Sequence, residues 1–316
     1  MLKHICKKKI IISTIILVLI FLLHQKPEKE NNKINIKEEI NYVNYEMKTN
    51  EVYLLDNNNL LNRVMIATTK EDKELIKELI GILTCDSEYK DKIPNNFKCV
   101  INKNTKINKL EINNKTLNID FNEYLLDTDI EEKTIESLVY TLTSLDYVDN
   151  IVICINGYKL TILPKSNITL PNKLNRNIGI NKKYNLIDTK NINKTTIYYI
   201  NKINDNTYYT PITLINNDSR DKIEIIIDEL SNKYIDNNLN SYLNSNTKVL
   251  DSYIENNIMH INFNENILTG FDENKILEEV IYTISLSISD NYGIKSVFFD
   301  VNNKEIAKTT IKSLEY

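Results

Sequence analysis

The order of apolar and polar positions divides most of this chain into strands and helices that occur twice. In the first half, Glu51–Leu55 and Arg63–Thr68 read as two opening strands. Leu75, Ile76, Leu79, Ile80 and Leu83 then fall on one face at helical spacing. Lys106–Ile112 and Thr116–Phe121 form a hairpin around Asn113-Asn114, because Asn tolerates positive φ and Leu117, Ile119 and Phe121 alternate toward one face. A second helix carries Ile135, Leu138, Val139, Leu142 and Leu145. A last strand, Val148–Ile155, runs into an Asn156-Gly157 turn toward Tyr158–Ile162.

The second half repeats the series. Thr196–Ile200 and Tyr208–Ile215 open it, and a helix from Ser219 onward presents Ile223, Ile226, Ile227 and Leu230, with Ser219 or Asp218 as its N-cap. Lys248–Glu255 and Ile258–Phe263 flank Asn256-Asn257. Leu277, Val280, Ile281 and Ile284 mark the second helix, and Ile294–Val301 the closing strand, followed by a weaker turn signal at Asn302-Asn303.

The two series are related in sequence. Asn104 to Thr143 aligns without a gap on Asn246 to Ser285, at a constant offset of 142, with about 15 of 40 positions identical. Asn104-Thr105-Lys106 matches Asn246-Thr247-Lys248, and Ile119 to Glu123 matches Ile261 to Glu265. Past an insertion of four residues, Val148 to Ile155 matches Ile294 to Val301. The chain is a tandem duplication. The expected fold class is α+β, two tandem homologous domains, each a small sheet with two amphipathic helices on one face. The expected domains span 50–163 and 195–316, with 164–194, rich in Asn, Lys and Pro, as a linker with some extended content.

Ahead of them, Lys3 and Lys7 to Lys9 precede an apolar run from Ile10 to Leu23. Fourteen helical residues cover about 21 Å, short of the roughly 30 Å hydrocarbon core, which is signal-peptide length. No small-x-small cleavage triplet follows, and no Cys follows to make a lipoprotein site. Lysines at one end, with His24 and Gln25 at the other, suit an uncleaved anchor in a locally thinned bilayer. Residues 1–26 are therefore expected to be a single-pass, N-in membrane segment in the cell membrane. Residues 27–49 are expected to be a solvated stalk, and the bulk to be extracytoplasmic.

Composition narrows the function. The 39 basic and 43 acidic side chains nearly cancel, for a net charge of -4, and no basic block lies beyond the N-terminus, which argues against nucleic acid as a partner. Five glycines and no GxGxxG or GxxxxGK[ST] string leave nothing for a phosphate loop. Asn makes up about one residue in seven, which AT-rich coding explains, so its clusters are not read as ligand sets. GxSxG and SxxK strings are absent, and a Ser-His-Asp triad would have to use His260. No catalytic, cofactor-binding or metal-ligating residue is assigned, and no cofactor is expected.

His260 lies opposite Met259, Ile261 and Phe263 on its strand, as a partly exposed structural His without a second ligand nearby. Asp120 and Asn122 bracket Phe121 for strand-end hydrogen bonding, since Asn262 in the other copy would remove the charge of a carboxylate site. Asp127-Thr128-Asp129 lacks the glycine and distal Glu of a calcium loop, and reads as the approach to a helix. Cys154 reads as a buried free thiol. Cys85 and Cys99, 14 apart, allow a disulfide that spacing alone does not decide, and no CxxC or HxxxH suggests zinc. Tyrosine pairs such as Tyr198-Tyr199 and Tyr208-Tyr209 serve either as strand residues or as an exposed aromatic interface.

The string from Thr116 to Asn122, the helix bearing Tyr140 to Thr143, and Val148 to Ile151 with Ile155-Asn156-Gly157 together resemble the GerMN domain family of sporulation and spore germination. Met259 to Asn264 and Ile281 to Ile284 resemble it in the second copy, so the likeness runs from about residue 50 to the end. The resemblance implies a small α+β fold similar to the ring-building modules of sporulation membrane complexes, and no known catalytic site. It implies a scaffold that meets protein partners in a cell-envelope or sporulation membrane complex. The alternative expectation is a cell-wall-binding accessory module of a peptidoglycan-processing system.

Overall fold

A computed structural model describes residues 48–232, 239–268 and 275–310. The anchor expected at 1–26 lies outside them, as does the stalk expected at 27–49 apart from residues 48 and 49, where Thr49 already begins a strand. No helix among the described residues is long and apolar enough to cross a membrane.

Each copy opens with an antiparallel hairpin, β1 (Thr49–Asp56) with β2 (Leu61–Ala67), and β9 (Asn193–Ile203) with β10 (Asn206–Asn216). A helix follows, α1 (Asp72–Leu83) or, later, α3 (Lys222–Ser231). The N-cap of α3 is Asp221, whose carboxylate accepts from the Ile223 N–H, two to three residues beyond the cap expected at Ser219 or Asp218.

The remainder of each copy is a four-stranded sheet built around a βαβ unit. In the first it runs β4 (Ile107–Asn113), β5 (Thr116–Phe121), β6 (Asn150–Ile155), β7 (Tyr158–Lys159). Helix α2 (Glu131–Leu142) is the crossover between the parallel pair β5 and β6. The second repeats it as β12 (Val249–Glu255), β13 (Ile258–Phe263), β14 (Ser296–Val301) and β15 (Lys304–Thr310), with α4 (Glu278–Tyr292) as crossover. Two-residue turns at positive φ close both first hairpins, at Asn256-Asn257 as expected and at Asn114-Lys115, one residue later than expected.

The opening hairpins do not join these sheets, which corrects the expectation of one small sheet per copy. They meet each other instead. A seven-stranded sheet runs β11 (Leu239–Asn240), β9, β10, β2, β1, β3 (Phe97–Lys98), and β8 (Lys183–Asn185) pairs in parallel with β10. The two hairpins pair there at Tyr209 opposite Arg63, and buried hydrogen bonds of Asn201 with Asp56 and Asn62 join them beside that pair. The physical reason is burial. Val52 to Asp56 and Thr195 to Asn201 are unbroken buried runs, so these strands need cover on both faces, unlike β4 and β12 with their exposed sides.

Helix side chains finish the edges that β3 and β11 leave open. The Tyr53 N–H donates to Thr141 Oγ1 and its carbonyl accepts from Ser137 Oγ; the Tyr198 N–H donates to Ser287 Oγ, and Asn291 brackets the backbone of Thr196. Thr141 and Ser287 thus hold the same post, 146 positions apart rather than 142. The four extra residues of the second copy fall ahead of α4, between Leu268 and Glu278, and not after it. One helical turn keeps the same face forward, so the ungapped alignment slipped without breaking the apolar stripe.

Apolar side chains form two cores, one per copy, each between helices and strands of its own half. Residues 164–182 pack on the first copy, contributing Leu174 and Ile180 to its core. Cys85 and Cys99 are joined by a disulfide, Cα–Cα 5.2 Å, which ties the end of α1 to the segment after β3. Closing a loop of this size restricts the unfolded chain by about 3 kcal/mol. Cys85→Ser with Cys99→Ser is expected to lose about that much stability in urea unfolding; an unchanged midpoint contradicts it.

Candidate interaction surfaces

Between the two cores lies a buried polar junction. Arg176, from the stretch expected to be a linker, reaches across it. Its Nη1 donates to Asp290 Oδ1 at 2.9 Å and its Nη2 to the Tyr140 carbonyl at 3.2 Å, and the guanidinium lies 5.0 Å over the Tyr140 ring and 5.6 Å over Tyr53. Glu51 accepts from Arg63 at 2.9 Å and sits 3.6 Å from Arg176. The hydroxyls of Tyr53 and Tyr198, the matching residues of β1 and β9, meet at 2.9 Å. Asn181 stitches the halves further. Its Oδ1 accepts from the Leu61 N–H at 2.9 Å, and its Nδ2 donates to the carbonyls of Leu61 and Pro211, both at 2.8 Å.

These charges make stability depend on pH. Burial pushes the Glu51 carboxyl up, but Arg63 and Arg176 outweigh it and hold it at about 2. The unfolded chain then takes up this proton at higher pH than the folded one, so stability falls as pH drops from 4.5 toward about 2. Burial pushes Asp290 up against the pull of Arg176, and its ionisation costs stability as pH rises above 3.8. Glu51→Gln is expected to flatten the loss of stability between those limits in urea unfolding across pH. An acid slope equal to that of the parent contradicts this.

The duplication serves as an internal control for function. Residues that the copies share do the same structural work twice. Asn122 Oδ1 accepts from the Lys106 N–H and its Nδ2 donates to the Asn104 carbonyl; Asn264 does so with Lys248 and Asn246, all at 3.0 Å. Asp120 accepts from the Gly157 N–H at 2.7 Å and Asn262 from the Asn303 N–H at 3.0 Å. The expected strand-end role of Asp120 and Asn122 is what the geometry shows. Asp129 pairs with Lys165, and the Asp127 carbonyl accepts from Asn102.

Besides the disulfide, the copies differ on the outer face of the β12–β15 sheet. Cross-strand register puts Tyr253, His260, Phe298 and Lys308 in one row. The rings are parallel, Tyr253 to His260 at 4.7 Å and His260 to Phe298 at 4.8 Å, with the Lys308 ammonium 4.6 Å over Phe298. The first copy has Glu111, Asn118 and Val152 in that row. His260 is thus half-buried on the outer face, as its alternation predicted, but it forms the middle of an aromatic stack. Leu250, Tyr253 and Ile254 on the edge strand β12 are each more than half exposed, and no described strand pairs with its outer edge.

Other candidates resolve differently. Cys154 is free but half-buried, which corrects its reading as a buried thiol: Ile151 and Ile153 point inward on β6, so Cys154 faces outward between Asp120 and Lys159. Tyr198 and Tyr199 are buried, Tyr208 packs edge-on to Phe97, and Tyr209 against Tyr282. Both pairs are strand residues, Tyr198 and Tyr199 buried and Tyr208 and Tyr209 partly buried, while Tyr158, Tyr184 and Tyr253 are among the exposed tyrosines. Among the described residues no three His, Cys, Asp or Glu side chains gather as a metal site would require. A cavity of about 240 Å³ opens beside β8 and α3, floored by Tyr199, Ile212 and Leu214 and rimmed by Lys182, Lys183 and Glu229.

The sequence and fold have counterparts. The chain is 27% identical over 262 residues to the spore germination protein GerM of Bacillus subtilis strain 168, covering 80% of this chain and 71% of that protein. Its fold matches the tandem GerMN domains of the sporulation protein GerM from Bacillus subtilis at a TM-score of 0.73 and 25% identity, over 81% of this chain and 92% of that one. The match to the Germane family, described as sporulation and spore germination, takes in residues 51–161 and 196–307, both copies of the repeat. The chain belongs to the Germane family of sporulation and spore germination proteins.

Proposed function

We propose that this protein acts in sporulation or spore germination through protein–protein contacts, without catalysis, as a membrane-anchored component of an extracytoplasmic envelope complex. The observation that carries the reading is the divergence between the copies. The shared polar residues are engaged in turns and clasps, while the second copy alone sets a row of aromatic rings beside an exposed, apolar edge strand. Such an edge is suited to docking a partner chain. The rings stack on one another, so mostly their edges face outward, which suits a protein surface better than the open ring faces on which sugars stack. The tandem architecture that this chain shares with a named germination protein supports the biological setting. Residues 10–23 hold the chain in the membrane in this reading.

Crosslinking of intact envelopes followed by pulldown of the full chain tests it. Recovery of a defined set of membrane-complex proteins is the expected result. Sedimentation with purified sacculi in the absence of such proteins overturns the proposal in favour of a cell-wall-binding module.

A further inference from the structure

The loop between β8 and β9 carries a second surface, independent of the aromatic row. It wraps the end of β10, since Asn185 and Asn193 both lie opposite Asn216. Asn217 fills it, accepting from the N–H groups of Ile187 and Asp188 and donating to the carbonyls of Asp188 and Lys190. The Asp188 carboxylate closes a further turn on Thr189 and Lys190. A loop fixed this firmly has little need of its own side chains for packing, yet Tyr184, Leu186, Ile187 and Ile192 are apolar. Ile187 is 94% exposed and Tyr184 63%, and Leu186 and Ile192 are exposed too. Lys183, Lys190 and Lys194 lie among them on the surface; Asp188 is the one acid within 183–194, and Glu229 of α3 faces Lys183.

Exposed Leu and Ile at a rigid tip, a Tyr at its base and a collar of lysines match the layers of a bilayer surface: hydrocarbon boundary, interface and anionic headgroups. We propose that the 184–192 loop docks on the surface of an anionic membrane, inserting Leu186 and Ile187 while the lysines meet the headgroups. The chain would then lie against the membrane at this end of the seven-stranded sheet.

The absence of tryptophan provides the test. The full chain carrying Ile187→Trp is mixed with vesicles of phosphatidylglycerol and phosphatidylcholine, alongside Tyr253→Trp as a control on the aromatic row. The expected result is emission at shorter wavelength for Ile187→Trp, quenched by brominated lipid, with little change for the control. Adding Lys183→Glu or Lys190→Glu is expected to weaken the docked population about five-fold each at low salt, and high salt to do likewise. Quenching of Ile187→Trp no greater than that of the control overturns the proposal. So does quenching indifferent to salt and to headgroup charge. A blue shift that envelope protein induces without quenching by brominated lipid assigns the loop to a protein pocket and overturns it also.

Discussion

Arg176→Met is expected to lower the unfolding free energy by about 3–5 kcal/mol, because it strands the buried carboxylate of Asp290. Methionine keeps much of the apolar stem, so the loss isolates the guanidinium. Without it Asp290, whose side chain is 1% exposed, has no cation beside it, and Glu51 keeps only Arg63. The Tyr140 carbonyl and the faces of Tyr53 and Tyr140 lose their partner as well. Arg176→Lys restores the charge but not the fork that spans Asp290 and Tyr140, so it recovers part of the loss. Combining Arg176→Met with Asp290→Asn removes the stranded charge. The double variant is expected to be more stable than the sum of the single losses, which a urea-unfolding cycle measures. Additive losses contradict a shared junction.

Asn181→Ala is the second large effect, expected at about 3 kcal/mol or more, since it strands three buried backbone groups of Leu61 and Pro211. Asn181 also sits at φ 46, where a side chain other than Asn or Asp is strained. Asn181→Gly relieves that strain and leaves the hydrogen-bond loss alone, so it is expected to fall between the parent and Asn181→Ala in urea midpoint. Equal midpoints for parent and Asn181→Gly contradict the bridging role of the amide.

The elements of this fold were legible because each is set by local pattern. Leu117, Ile119 and Phe121 alternate as a strand that buries one face, and Leu75 to Leu83 repeat as a helix does. The duplication showed that the pattern holds twice. The shared sheet was not legible, because which strand lies beside β2 depends on tertiary packing that no window of β1 or β9 contains. The runs Val52–Asp56 and Thr195–Asn201 did carry a hint, since continuous burial asks for cover on both faces.

Arg176 and Asn181 were hidden for a different reason. They stand in an Asn- and Lys-rich stretch whose composition matches a solvated linker, and their roles come from partners in both copies. Cys154 could have been placed by alternation with Ile151 and Ile153, but the apolar neighbours of that strand masked it. His260 was placed on the correct face. Its neighbours Tyr253 and Phe298 became visible only once the register of β12, β13 and β14 was known, because a row across a sheet is not contiguous in sequence. Reading what the copies do not share, rather than what they do, is the signal that finds this row.

The two copies form one unit, closed at the Arg176 and Asn181 junction. Native-state hydrogen exchange on the full chain tests this most directly. The prediction is that the protected amides of β1, β2, β9 and β10 exchange through a common opening with one free energy, and that Arg176→Met lowers it in both hairpins together. Exchange of β9 and β10 through a separate, less costly opening, with β1 and β2 unaffected by the substitution, would show two independent domains and contradict it.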